Sequence, residues 1–160
     1  MLLLHDIESA RDNLLAFGVS DVSIERSPPV TAAALAAVEQ RLGHRLPDDL
    51  QQVYLAEAGA LKFRWKTQLL GDACKAGYTE LLSPQKVAKE FEEQIGMAED
   101  ARREGLDKAD EGYQLLVRDW PNWIPIFRFP NGDRLGADPL RRRTSADLSA
   151  AAMDRVGFLR

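Results

Sequence analysis

The sequence predicts one α+β domain, with N-terminal helices packed on a mainly antiparallel sheet. Helical periodicity dominates the chain up to Gly59, with one brief strand candidate within it, and apolar–polar alternation takes over from Leu61. A single long helical stretch between the strand candidates argues against regular βαβ units and a parallel sheet. Late in the chain Asn131-Gly132, the preferred pair for a tight two-residue hairpin turn, separates two short strand candidates. No repeat or linker divides the 160 residues, so residues 1–160 read as one domain.

Each element follows from local chemistry. A short amphipathic helix is expected from about Leu4 to Phe17, with Ile7, Leu14 and Leu15 on one side and Gly18 as its stop. Val22 to Glu25 alternates as a brief strand before Pro28-Pro29. Thr31 suits the N-cap of a helix over Ala32 to Leu42, whose face carries Leu35, Val38 and Leu42 and whose stop is Gly43. Leu46-Pro47 opens the next helix, Asp48 and Asp49 favour the positive end of its dipole, and Leu50, Val53 and Tyr54 form its stripe up to Gly59.

Leu61 to Trp65 and Tyr78 to Leu82 are strand candidates. Ser83-Pro84 caps a long helix from about Gln85 to Arg103 with Val87, Phe91, Ile95 and Ala98 on its apolar face. A charged loop is expected from Gly105 to Gly112, then strands at Gln114 to Arg118 and at Ile124 to Phe129, with Arg134 to Ala137 pairing back on the latter.

Composition narrows the function. Apolar residues make up 45% and charged residues 29%, the mix of a globular protein. A net charge of −4 argues against a general nucleic-acid binder and leaves a basic protein partner open. No stretch approaches the roughly 20 apolar residues of a membrane-spanning helix. Leu2 to Leu4 lack a basic flank and are followed at once by Asp6 and Glu8, unlike a secretion signal. The single cysteine, Cys74, cannot form an internal disulfide and fits a reducing cytoplasm.

Catalytic patterns are absent from the sequence. His5 and His44 stand in ordinary helix or loop surroundings, Cys74 has no histidine nearby in sequence, and no glycine-framed serine elbow occurs. Asp119, Asp133 and Asp138 lack the oxygen-ligand spacing of a calcium loop and read as turn and strand-end carboxylates. The scattered glycines, Gly71 and Gly77 among them, form no phosphate loop. The expectation is a protein that is not an enzyme and needs no metal or cofactor.

Three segments resemble the SUKH superfamily, which unites yeast cell-wall regulators with many bacterial immunity proteins. Val38-Glu39-Gln40-Arg41-Leu42-Gly43-His44-Arg45-Leu46-Pro47-Asp48-Asp49-Leu50 is similar to its glutamate, leucine-glycine, leucine-proline signature. Tyr54 to Trp65, through Gly59, is similar to its aromatic, glycine turn and aromatic-bearing strand. Trp123-Ile124-Pro125-Ile126, leading to Gly132-Asp133 and Asp138, resembles its central hairpin. The resemblance is strongest over residues 30–138. Ala58-Gly59 stands where the family often has asparagine-glycine, and residues 139–160, with Arg141 to Arg143, form an atypical tail. If that tail is diverged, truncated or read from a shifted frame, one sheet edge could lie open, which would favour dimerisation, as a homodimer, or aggregation.

The resemblance implies protein binding, usually of a toxin delivered by a neighbouring cell, often a nuclease or deaminase. Scaffold or regulatory adaptors are the alternative within the same superfamily. Glu39, Leu42, Gly43, Leu46, Pro47, Gly59, Trp123, Pro125, Gly132, Asp133 and Asp138 carry the motif and read mainly as architectural. Candidate partner-binding residues are Trp65 and an acidic stripe on the long helix, Glu90, Glu93, Asp100 and Glu104, set away from the Val87–Phe91 face. That stripe is either a solvated helix face or a surface that meets a basic toxin domain.

Overall fold

The computed structural model describes residues 3–19, 21–67 and 75–137. Cys74, Asp138 and Arg141 to Arg143 lie outside these residues. Helix α1 (Leu3–Ala16) leads to strand β1 (Asp21–Ser27), followed by α2 (Ala32–Leu42) and α3 (Asp48–Gln52). Strands β2 (Ala60–Thr67) and β3 (Lys75–Leu81) precede the long α4 (Pro84–Arg103), then α5 (Leu106–Ala109) and α6 (Glu111–Asp119). Strands β4 (Ile124–Arg128) and β5 (Arg134–Ala137) complete the series. The five strands form one sheet in the order β1-β2-β3-β4-β5, every pair antiparallel. The architecture is α+β, as the sequence predicts.

The helix ends obey the expected chemistry. Gly18 has φ 88°, its N–H bonds to the Leu15 carbonyl, and the Val19 N–H bonds to the Leu14 carbonyl, closing α1 with a Schellman motif. Leu15 nevertheless points outward, 47% exposed, so the α1 stripe is narrower than expected. Thr31 accepts the Ala34 N–H at the start of α2, and Gly43 ends it at φ 69°. Ser83 accepts the Lys86 N–H at the start of α4. The helix expected from Pro47 to Gly59 is divided: α3 passes into a π-helical turn at Val53–Glu57.

One core joins the helices to the sheet. Leu35, Val38 and Leu42 of α2 meet Val87 and Phe91 of α4, together with Leu46, Tyr54, Leu61, Leu81, Leu82, Ile124 and Ile126. Ile24 lies opposite Phe63 and Leu61 opposite Leu81, so these positions share the core-facing side of the strands. Tyr54 is fully buried and donates its hydroxyl to the Leu82 carbonyl at 2.7 Å. Burial pushes its pKa upward and keeps it a neutral donor.

Two expected elements differ. The strand expected at Gln114 to Arg118 lies inside α6, because the Asp110 carboxylate accepts the Gly112 and Tyr113 N–H groups and starts a helix there. A run of five residues fits either period, so the cap decides. The tight turn expected at Asn131-Gly132 is a longer one. Only Gly132 has positive φ, at 88°, whereas a type I′ turn needs it at both central residues. The Gly132 N–H bonds to the Phe129 carbonyl and the Phe129 N–H to the Asp133 carbonyl, giving a loop that begins at Pro130.

Candidate functional site

Strand register lines up a charged row across the whole sheet. Glu25 stands opposite Lys62, Lys62 opposite Glu80, Glu80 opposite Arg128, and Arg128 opposite Arg134. Directly opposed residues share a face, so all five lie on the side away from Leu61 and Leu81. Signs alternate over four strands and then repeat at Arg128 and Arg134. Like charges directly opposite destabilise a sheet unless another group intervenes.

That group is Glu90 of α4. Its side chain is 5% exposed and sits between the arginines, one carboxylate oxygen facing Arg128 Nη2 and the other accepting Arg134 Nε at 2.6 Å. The acidic stripe expected to be solvent-facing is therefore corrected at this position. Glu90 lies on the same side of α4 as buried Gln94 and Ala101, and two guanidinium groups offset its desolvation. Glu93, Asp100 and Glu104 are exposed. Among the described residues Glu93 pairs with Lys89 at 3.6 Å, and Asp100 pairs with Arg103.

One turn before Glu90, Lys86 donates to Glu80 at 2.6 Å. Partial burial opposes the Glu80 carboxylate. The Lys86 hydrogen bond and the charges of Lys86, Lys62 and Arg128 outweigh it and hold its pKa below the ordinary 4.5. Lys62 Nζ also lies 4.2 Å from the Tyr78 ring centre, and Arg64 pairs with Glu25 at 3.3 Å. Counting the groups named here, five cations (Lys62, Arg64, Lys86, Arg128, Arg134) face three carboxylates (Glu25, Glu80, Glu90) in a chain whose net charge is −4.

Trp65 is half-buried on the opposite face of β2, the side of Leu61 and Phe63. It stands opposite Gly77, and a methyl group on Gly77 would lie 2.3 Å from the indole, so the ring covers the glycine. Phe63 tilts against it at 5.6 Å. Trp65, Gly77 and Tyr78 join Arg64, Lys66 and Pro130 around a groove of about 370 Å³. Trp65 and the acidic stripe are not brought together with one another. Among the described residues no three His, Cys, Asp or Glu side chains are grouped to hold a metal ion, and no helix is long and apolar enough to cross a membrane.

The remaining motif residues build the frame. Leu46 is buried in the turn between α2 and α3. Its N–H donates to Glu39 Oε1 at 2.8 Å and its carbonyl accepts Gln51 Nε2 at 2.7 Å, so two side chains satisfy a buried backbone. Comparison with known families matches this segment and most of the chain: the profile of the SMI1 / KNR4 family (SUKH-1) fits residues 29–144. The chain belongs to the SMI1 / KNR4 family. No curated protein and no solved structure matches it closely enough to add to that assignment.

Within this SUKH-1 chain, Gly59 owes its place to close approach. Its φ is not positive, and an added methyl would lie 2.5 Å from the Pro28 carbonyl oxygen. Pro125 is buried at a β-bulge in β4, where a missing N–H costs no ladder bond. Asp133 is buried and accepts Asn131 Nδ2 at 2.6 Å across the β4–β5 turn. Gln94, which the sequence reading passed over, donates to the Trp120 and Trp123 carbonyls and ties α4 to the start of β4. Its signal was a glutamine at a core-facing position of an amphipathic helix. Arg128 and Arg134 carried no such signal, because their significance depends on strand register.

Proposed function

We propose that this SUKH-1 protein is an immunity protein that binds a cognate bacterial toxin domain, a nuclease or deaminase, in the cytoplasm and neutralises it by stoichiometric occlusion of its active site. The fit of the SMI1 / KNR4 profile across residues 29–144 carries the proposal, since the superfamily's bacterial members commonly have that role. The charged row across the sheet supports it, because ordered charges of both signs guide encounter and fix register between proteins. Binding alone would suffice, with no turnover, cofactor or nucleic-acid contact.

The test is protection. Cells expressing the C-terminal domain of a large secreted protein from the same genome should survive when this chain is co-expressed. The two should also co-purify at one-to-one stoichiometry. Survival without a complex, or a complex without survival, would count against occlusion. Co-purification with a resident enzyme or cytoskeletal assembly would select the adaptor reading instead.

A further inference from the structure

We propose that Arg128 and Arg134 form a fork that receives one carboxylate, an aspartate or glutamate side chain of the bound protein; this rests on the neutralisation reading and names its contact chemistry. Glu90 uses both its oxygens on the pair, one for each arginine. Arg134 contributes only Nε, and among the described residues its two terminal amino groups have no partner. The arginine side chains are 36% and 35% exposed, so part of each reaches solvent while Arg128 Nη2 and Arg134 Nε are held by Glu90. A buried carboxylate thus holds two guanidiniums side by side on opposed strands, and a pre-set fork loses little freedom when it binds.

Charge selects the ligand. Taken by themselves, the two guanidiniums and Glu90 leave one positive charge, which one further carboxylate matches. Glu90, held between the arginines, repels a phosphate dianion more strongly than it repels a single carboxylate at the same distance. Carboxylates of this kind are what a deaminase's general acid–base or a metal-dependent nuclease presents in its active site. An arginine fork on such a group would both hold and silence the enzyme.

The experiment titrates the full-length, isotope-labelled chain with an acetylated tetra-aspartate peptide, using the tetra-asparagine peptide and inorganic phosphate as comparisons. Saturable shifts of the Arg128 and Arg134 Nε–H resonances are expected with tetra-aspartate alone. Arg134→Gln should weaken binding about tenfold, and Arg134→Lys, which keeps the charge and a partner for Glu90, should weaken it in the same direction. Absence of shifts at the pair, shifts centred elsewhere, or tighter binding of phosphate would overturn the proposal. Equal affinity of Arg134→Lys would overturn the fork geometry, even if Arg134→Gln fails to fold. No toxin is needed, so failure here leaves neutralisation standing, and failure of protection leaves this result readable.

Discussion

Arg134 Nε donates to Glu90 Oε2 at 2.6 Å, joining β5, the last of the described strands, to α4 across 44 residues of chain. Arg128 completes the arrangement from β4. Removing the carboxylate strands two like charges opposite one another, although each remains about one-third exposed. Glu90→Gln should therefore cost about 1–3 kcal/mol, below the penalty of a fully buried pair because water can reach the arginines. Glu93→Gln, on the exposed face, should stay within about 0.5 kcal/mol. Urea midpoints compare the two, and equal losses would refute a special role for Glu90.

Glu80 links stability to acid. Its folded pKa is depressed below the ordinary 4.5 by Lys86, Lys62 and Arg128 acting against burial. The stabilisation is complete above the unfolded value and is lost as pH falls through the folded one. Wild type should lose stability on acidification below pH 4.5, and Lys86→Met should make that acid limb shallower while leaving its position at higher pH lower. Thermal melts between pH 3 and pH 7, at about 0.1 M salt, measure it. A Lys86→Met acid limb parallel to wild type would assign the shift elsewhere.

Much of the frame was legible in the sequence because its signals are local. Thr31, Gly43 and Ser83 act within a turn of their own positions, and the α2 and α4 stripes follow a single period. What could not be read there depends on separation. Glu90 looks like one more surface glutamate until Arg128 and Arg134 are placed opposite each other by a hairpin, and that placement depends on the bulge between Pro125 and Phe127. Gln114 to Arg118 failed for a related reason: the deciding cap, Asp110, lay in what read as a charged loop.

Two glycines separate steric need from propensity. A methyl on Gly59 would meet the Pro28 backbone oxygen at 2.5 Å, and backbone cannot swing aside, so Gly59→Ala should cost about 2–4 kcal/mol. Gly96 lies inside α4 with open space around an added methyl. Gly96→Ala should raise stability by about 0.5–1 kcal/mol through helix propensity and a less free unfolded chain. Opposite shifts in the melting temperature are expected. A neutral Gly59→Ala would show that the turn can open at little cost.

Gly77 tests the placement of Trp65. The indole lies flat enough over the glycine that an added methyl would come 2.3 Å from Cζ2, but a half-buried ring, unlike a backbone, can tilt away. Gly77→Ala should therefore cost only about 1 kcal/mol while moving the ring. Of the three indole N–H resonances, that of Trp65 should shift and those of Trp120 and Trp123 should hold, since Gln94 fixes their segment independently. If Trp65 also anchors the toxin, the same substitution should weaken the complex more than it weakens the fold. An altered indole resonance with unchanged affinity would exclude Trp65 from the interface and leave the groove beside it as packing alone.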